Sequence, residues 1–239
     1  MTNNYSLIQS QQQQQQQMVD KEIPSTGYHQ TFESPLGPLT KQPDIGRWIS
    51  LKETPSVVHN FFSPLPGLPF DGDYILKFPN GSEFVVLPNK AFNKGVIRLH
   101  CCRQAESLLN VEEYGVCWTV ENSSNEILAS IRYGPNYQFE VSVDGITYES
   151  LGIKWNPGLN NFFSITIDLD KRIWHTYFRN SYGDEIISDN SSINHNVRSE
   201  ISHMRIINSG CNASYSVEIG IGKAVEANEY EIDYSKEQI

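Results

Sequence analysis

Residues 137–178 read YQFEVSVDGITYESLGIKWNPGLNNFFSITIDLDKRIWHTYF, and the alternation of apolar and polar side chains in this stretch decides the fold class. Phe139 and Val141 alternate with polar neighbours, and the later run SITIDL repeats the pattern. A period of two is typical of a β-strand with one buried face. Asp144 and Gly145 predict a tight two-residue hairpin, because both central residues of a type I′ turn need positive φ. With no helical period between them, these strands indicate an antiparallel all-β domain.

The same pattern of short strands and turn signals extends over most of the chain. Such a series is the signature of two packed antiparallel sheets or of a barrel. We therefore predict an all-β fold, a two-sheet antiparallel jelly-roll sandwich with a disordered N-terminal tail. The predicted strands are 74–78, 83–87, 95–102, 114–121, 127–133, 137–144, 147–152, 162–168, 172–178, 185–188, 203–208 and 215–222.

Composition divides the chain into four segments. Residues 1–22 contain a run of glutamines, and such polar sequence cannot bury enough apolar surface to offset its ordering entropy, which predicts a disordered tail. Residues 23–72 are rich in proline yet contain many apolar side chains, which predicts an arm packed on the sandwich. Within this arm we expect an edge strand at 46–51 and at most a short helix at 53–62. Residues 73–225 form the sandwich, and 226–239 form an acidic C-terminal segment.

The charge balance limits the kinds of partner. There are 18 Lys and Arg against 28 Asp and Glu, a formal charge of −10, so nucleic acid is not an expected partner. No apolar run approaches the roughly 18 residues of a membrane helix, and the N-terminus lacks a secretory signal. We therefore expect no membrane insertion and a cytoplasmic protein. Its four cysteines, which form no metal-binding pattern, are expected to be reduced.

A resemblance to a known fold family rests on the order of several strand segments. These are KGVIRLH, YGVCWTVEN, ILASIRYG, YQFEVSVDG, a loop containing Trp155, FFSITIDLDKRIWHTYF, and a closing MRIINSG with YSVEIGIGKA. The order resembles the concanavalin A-like lectin and glucanase superfamily, which includes laminin-G-like jelly rolls. The resemblance covers about residues 92–225 and implies fold more than function, because this fold carries lectins, glycosidases, lyases and structural modules.

The resemblance also implies where a ligand would bind. In such a sandwich one sheet is concave, and its outward face often carries polar and aromatic side chains that hold a ligand. Alternation along each strand predicts which residues face outward, although spacing does not decide which face of the strand at 172–178 does so. The predicted ligand-binding residues are Arg98, His100, Arg132, Glu140, Trp155, Trp174, His175 and Tyr177. The alternative is that they are ordinary solvent-side residues or cross-strand ion pairs.

The tryptophans have different expected roles. Trp118 shares a predicted strand with valines and is expected in the core. Trp155 lies in the loop KWNPG, where Pro and Gly fix its position, and we expect its ring to be partly exposed. The alternative for Trp155 is that it closes the open end of the sandwich.

Asp168 and Asp170 place two carboxylates on one strand face before a turn. Oxygen-rich rims of jelly rolls can hold calcium, so these two residues are the candidate metal ligands. The alternative is a solvated strand end. No cofactor is required by the predicted function, and calcium is the one metal that the sequence suggests.

The predicted function is binding of a carbohydrate or another small ligand on the concave sheet. An enzyme on the same face is the alternative: a glycosidase, a polysaccharide lyase, or a small-molecule cyclase or isomerase. The candidate catalytic residues are Glu140, His175, His100 and Tyr177, since histidine and carboxylate side chains can serve as general acid and base. A structural module that binds protein through its edge strands is a third hypothesis. Oligomeric state does not follow from the sequence.

Overall fold

The computed structural model describes residues 28–30, 36–38, 48–59, 74–88, 90–180, 182–188 and 191–224. Within these ranges the protein is all-β, and its helical structure is limited to the 3-10 turn Pro135–Tyr137. Its strands form two antiparallel sheets that make a jelly-roll sandwich, as predicted. The same ranges contain no helix that is long and apolar enough to cross a lipid bilayer. The segments 1–22 and 226–239, to which the sequence assigned a tail and an acidic end, lie outside the described residues.

The first sheet has ten strands. Eight of them follow one another in the order β14 (Glu185–Ile187), β13 (Ile173–Asn180), β12 (Asn160–Asp168), β7 (Val96–Ala105), β17 (Ala213–Lys223), β5 (Tyr74–Pro79), β4 (Ser56–His59) and β2 (Gly37–Pro38). In addition, β1 (Tyr28–Gln30) pairs with β17, and β15 (Ser191–Ser192) pairs with β13.

The second sheet has seven strands. Their order is β11 (Glu149–Lys154), β10 (Gln138–Ser142), β9 (Ile127–Tyr133), β8 (Val116–Glu121), β16 (His203–Asn208), β6 (Glu83–Val86) and β3 (Trp48–Lys52). Strands β8, β9 and β10 are consecutive in sequence and adjacent in space, whereas β16 and β6 come from distant parts of the chain.

The proline-rich segment contributes strands to both sheets. The expected edge strand at 46–51 is confirmed as β3, which lies at the end of the seven-stranded sheet. The expectation of a short helix at 53–62 is wrong over 56–59, where β4 pairs with β5 of the ten-stranded sheet. The physical reason is burial: Val57 lies opposite Leu76 and is 2% exposed, so this segment is held by the sheet and the core.

Aromatic side chains from both sheets fill the space between them. Trp118 on β8 is buried, as predicted, and packs edge-on against Phe163 on β12, with ring centroids 4.6 Å apart. Phe139 on β10 stacks on Phe178 of β13 at 3.9 Å. Because these contacts join the inward faces of the two sheets, the alternate residues of the same strands must face outward.

The loop after Asp144 differs from the predicted two-residue hairpin. Strand β10 ends at Ser142 and β11 begins at Glu149, so a longer loop, 143–148, joins them. Asp144 Oδ1 accepts hydrogen bonds from the backbone N–H groups of Ile146 (2.8 Å) and Thr147 (2.9 Å), which organises the loop around a side chain. These bonds also lower the pKa of Asp144.

Candidate functional site

Four predicted ligand-binding residues face outward on the ten-stranded sheet. Arg98 and His100 lie on β7, and His175 and Tyr177 lie on β13. Strand β12 lies between these two strands. All four side chains are half-buried. The structure therefore brings this group together on one surface, which we call the ten-stranded face.

Strand β12 adds two hydroxyl groups to this face that the sequence analysis did not select. Ser164 lies between His100 and Tyr177, and Thr166 lies between Arg98 and His175. The polar positions of the run SITID, which alternate with isoleucines, were the signal that could have found them. Tyr177 also donates a hydrogen bond from its hydroxyl to Glu185 Oε2 (2.9 Å).

The two predicted tryptophans belong to the core. Trp174 is 2% exposed and faces inward, which decides the orientation of its strand: His175 and Tyr177 face outward. The expectation that the Trp155 ring is partly exposed is wrong, because Trp155 is 1% exposed. Its indole stacks on the Tyr133 ring with centroids 4.6 Å apart, so Trp155 closes the sandwich.

Arg132 and Glu140 lie on the other sheet. Arg132 is on β9 and Glu140 is directly opposite on β10, both strands of the seven-stranded sheet. The expectation that one concave sheet carries all the predicted groove residues is therefore wrong. Alternation along a strand predicts which side chains face outward, but sheet membership depends on long-range pairing, which alternation does not reveal.

Arg132 is held by one ion pair and two aromatic rings. Its Nε donates to Glu140 Oε2 at 2.6 Å, and the side chains of the pair are 20% and 14% exposed. The guanidinium carbon lies 3.6 Å from the centroid of the Tyr148 ring and 5.3 Å from that of Tyr114, both within cation–π range. We call the surface formed by Tyr114, Arg132, Glu140 and Tyr148 the Arg132 site.

Tyr148 is itself anchored to the sheet. Its hydroxyl hydrogen-bonds to Ser130 Oγ (2.7 Å) and Cys117 Sγ (3.3 Å), which lie outward on β9 and β8. Burial is the main cause that raises the pKa of Tyr148 above its ordinary range, and burial likewise raises the pKa of the Cys117 thiol. Both groups are therefore neutral at physiological pH, and Tyr148 acts as a fixed platform beneath Arg132.

The Arg132 site keeps unused hydrogen-bonding capacity. Among the described residues, Arg132 makes one hydrogen bond, through Nε, so the N–H groups of its Nη1 and Nη2 atoms have no protein acceptor. Glu140 Oε1 likewise has no donor within the described part of the chain. A fixed donor edge and an adjacent acceptor on a partly exposed surface are what a polar ligand requires.

A second arginine on the same sheet face provides a contrast. Arg205 on β16 donates from Nε and Nη2 to the two carboxylate oxygens of Glu121, at 2.8 and 3.0 Å, and from Nη1 to Glu83 Oε1 at 2.9 Å. Lys52 on the edge strand β3 extends this row of charged side chains, Glu121, Arg205 and Glu83, with an ion pair to Glu83 (2.6 Å). Arg205 uses all three nitrogens inside the protein, so this row is structural.

Glu121 is the centre of that row, and we call it, with Lys52, Glu83, His203 and Arg205, the Glu121 network. Glu121 is 3% exposed and also accepts from His203 Nε2 (2.9 Å) and Thr119 Oγ1 (2.5 Å). Burial opposes its ionisation, but the hydrogen bonds from His203, Arg205 and Thr119 outweigh burial and lower its pKa to about 2. Glu121 is therefore an ionised, fully bonded carboxylate at neutral pH.

Sequence reasoning missed two residues of the Arg132 site, Tyr114 and Tyr148. Tyr148 was assigned to the second strand of a tight hairpin, whereas the longer loop lets its ring fold back over the sheet. Tyr114 precedes β8 and is half-buried. No local pattern marked either tyrosine, because each meets Arg132 through the pairing of β8, β9 and β10.

The candidate metal ligands both accept hydrogen bonds from the protein itself. Asp168 Oδ1 accepts from the backbone N–H of Lys171 (2.9 Å), and Oδ2 pairs with the Lys171 ammonium (3.0 Å). Asp170 Oδ2 accepts from the backbone N–H of Gly95 (3.0 Å). Over the described residues no group of three or more His, Cys, Asp or Glu side chains is placed to hold a metal ion. These bonds explain Asp168 as a support of the turn and Asp170 as a link between the turn and the residue before β7.

The candidate catalytic residues are divided between the two outward surfaces. Glu140 faces outward from the seven-stranded sheet, whereas His100, His175 and Tyr177 face outward from the ten-stranded sheet. The hydrophobic core separates these two outward surfaces. Phe139 on the inward face of one sheet stacks on Phe178 on the inward face of the other. Glu140 therefore cannot act as an acid and base pair with either histidine on one substrate.

The two sheets and their shared core have the jelly-roll sandwich fold that is also found in lectins of known structure. Among solved structures, the chain is similar to the metal-free form of lectin I-B4 from Griffonia simplicifolia, with 10% identity and a TM-score of 0.53 over 83% of this chain and 99% of that one. It is also similar to lectin UEA-II in complex with galactose, with 10% identity and a TM-score of 0.51 over 84% of this chain and 99% of that one.

A third similar structure is a sialidase, at 9% identity and a TM-score of 0.51. The match covers 83% of this chain but 18% of the sialidase. No protein-family model matches the chain, and no curated protein matches it. At these identities the similarity shows the fold alone.

Proposed function

We propose that the protein binds carbohydrate at the Arg132 site, on the outward face of the seven-stranded sheet. The observation that carries the proposal is that, among the residues the structure describes, the Nη edge of Arg132 and the Oε1 atom of its partner Glu140 have no hydrogen-bond partner. Sugar hydroxyls both donate and accept hydrogen bonds, so they can satisfy both groups at once. The fold supports the proposal, since similar structures include lectins, one of them solved with galactose.

The site is also suited to binding because its parts are held in place before a ligand arrives. Tyr148 lies under the guanidinium and is bonded to the sheet through its hydroxyl. Gly134 allows Glu140 to pack against the chain, since a Cβ at this position would overlap the Glu140 carboxyl group. A site that is already ordered loses less conformational entropy on binding.

A glycan array followed by calorimetric titration of each ligand that binds tests the proposal. Arg132→Lys keeps the positive charge beside Glu140 and removes the planar fork, so it separates recognition from folding. We expect this variant to bind at least about tenfold more weakly, the effect of losing roughly one hydrogen bond to a charged group. Arg198→Lys, in an exposed loop, is the matched control and should bind as the wild type does.

Two further outcomes would contradict the proposal. If His175→Ala on the ten-stranded face abolishes binding while Arg132→Lys does not, the ligand lies on the other sheet. If mass spectrometry shows that the bound sugar is converted to a product, the protein is an enzyme instead. Calcium at Asp168 and Asp170 stays a separate prediction, which a rise in melting temperature on adding calcium would support.

A further inference from the structure

We infer that the Arg132 site selects a neutral vicinal diol, two adjacent hydroxyls of an uncharged sugar, and rejects acidic sugars such as uronates. This inference rests on the proposed carbohydrate-binding function and names the class of sugar. It follows from three properties of the site: the kinds of hydrogen-bonding atom it presents, its charge, and its rigidity.

The hydrogen-bonding atoms require a ligand that both donates and accepts. The Nη1 and Nη2 atoms of Arg132 only donate, and the Glu140 carboxylate that pairs with Arg132 accepts. Because Arg132 Nε and Glu140 Oε2 are bonded at 2.6 Å, the unused donor edge and the unused Oε1 are neighbours. Two adjacent hydroxyls can accept from the arginine with one oxygen and donate to the glutamate with the other. A carboxylate or sulfate could satisfy the arginine but would leave Oε1 facing an acceptor.

The charge of the site disfavours an anion. Glu140 neutralises Arg132, so the pair offers no net positive charge to a uronate. A bound carboxylate would also lie next to the Glu140 carboxylate, and like charges so close repel each other. The formal charge of −10 adds to this repulsion at longer range.

The rigidity of the site keeps the Arg132 guanidinium from turning away from Glu140 to meet an anion. The Arg132 guanidinium carbon lies 3.6 Å from the Tyr148 ring centroid and 5.3 Å from that of Tyr114, which confines the side chain. The Tyr148 hydroxyl is in turn hydrogen-bonded to Ser130. Turning the guanidinium toward an anion and away from Glu140 would break the ion pair and this stacking. The described structure therefore favours ligands that bind to Arg132 and Glu140 while these two side chains remain paired.

Matched pairs of a neutral pyranoside and its uronate test the inference: glucose with glucuronate, galactose with galacturonate, and mannose with mannuronate, each as the methyl glycoside. For the wild type we expect the best neutral sugar to bind at least about tenfold more tightly than its uronate. Monodeoxy forms of that sugar should identify two adjacent hydroxyls, each worth about tenfold or more in affinity.

Glu140→Gln is the decisive variant. It removes the negative charge but keeps a side-chain oxygen that can accept from Arg132 Nε. We expect it to reduce the preference for the neutral sugar to about threefold or less, by improving uronate binding. Glu149→Gln, exposed on the edge strand β11, is the matched control and should leave the preference unchanged. Thermal melting of both variants checks that each is folded.

The outcomes separate this inference from the proposed function. If the wild type binds a uronate as tightly as its neutral partner, and Arg132→Lys abolishes that binding, the site binds sugars but the inference is wrong. The inference also fails if Glu140→Gln leaves the preference unchanged. If no member of the panel binds, and the glycan array also yields no ligand, both the proposed function and the inference fall.

Discussion

Replacing Glu121 by glutamine should destabilise the protein in a way that depends on pH. Glu121 is 3% exposed, and its pKa is lowered from the ordinary value of 4.5 to about 2. A shift of this size corresponds to about 3 kcal/mol of stabilisation of the ionised form, at 1.36 kcal/mol per unit. Its partner Arg205 is 22% exposed and partly screened by water, so we expect about 2 kcal/mol at pH 7.

The direction of the pH dependence follows from the lowered pKa. The stabilisation is fully present above the unfolded-state value near 4.5 and is lost as the pH falls toward the folded-state value of about 2. The contribution of the Glu121 charge to the difference in free energy of unfolding between the wild type and Glu121→Gln should therefore be fully present from pH 7 to about 5. Below that, the difference should shrink by up to about 1.4 kcal/mol per pH unit.

Urea denaturation at a series of pH values between 7 and 3, followed by circular dichroism, measures this difference directly. Glu149→Gln is again the matched control, because it removes a carboxylate that is exposed, and it should cost less than about 0.5 kcal/mol at every pH. A difference for Glu121→Gln that stays constant down to pH 3 would contradict this prediction, since it would show that the loss comes from packing instead of charge. A difference below about 0.5 kcal/mol at pH 7 would refute it as well.

Two further substitutions test other parts of the sheet. Gly210→Ala should destabilise the protein by about 1–3 kcal/mol in urea denaturation, because the added Cβ would overlap the backbone carbonyl oxygen of Tyr114. The substitution should also weaken glycan binding at the Arg132 site. An unchanged denaturation midpoint would contradict the described packing. Lys52→Met should cost less than about 1 kcal/mol, because Lys52 is 70% exposed although it pairs with Glu83 at 2.6 Å. A larger cost, or one that survives high salt, would show that the pair is not screened by water.

Local alternation predicted the orientation of side chains well. Ile97 and Leu99, which alternate with Arg98 and His100 on β7, are both buried in the core. Arg98 and His100 therefore face outward, as expected. The orientation of the strand at 172–178 was left open because Trp174, His175 and Tyr177 are all suited to either face. The core decides it, since it buries the Trp174 indole on one side of the strand and leaves His175 on the other.

The arrangement of strands into sheets could not be predicted in the same way. Arg132 and His175 both lie outward on strands with clear alternation, yet they are on different sheets. Pairings such as β16 with β8 join residues more than 80 positions apart, for example Arg205 and Glu121. Local patterns carry no information about which distant strand becomes a neighbour, so a site made of several strands is predicted residue by residue and not as a group.

Charged residues on a strand do not identify a binding site by themselves, and two arginines of this protein show why. Arg132 and Arg205 both lie outward on the seven-stranded sheet, and both are paired with glutamate. Arg205 makes three hydrogen bonds to Glu121 and Glu83, which use every nitrogen of its guanidinium. Within the described part of the chain Arg132 makes one, and stacking on Tyr148 fixes its unused edge in place. An arginine that the protein orients without satisfying its donors can donate to a ligand acceptor from outside, and on this difference we propose recognition for Arg132 and a structural role for Arg205.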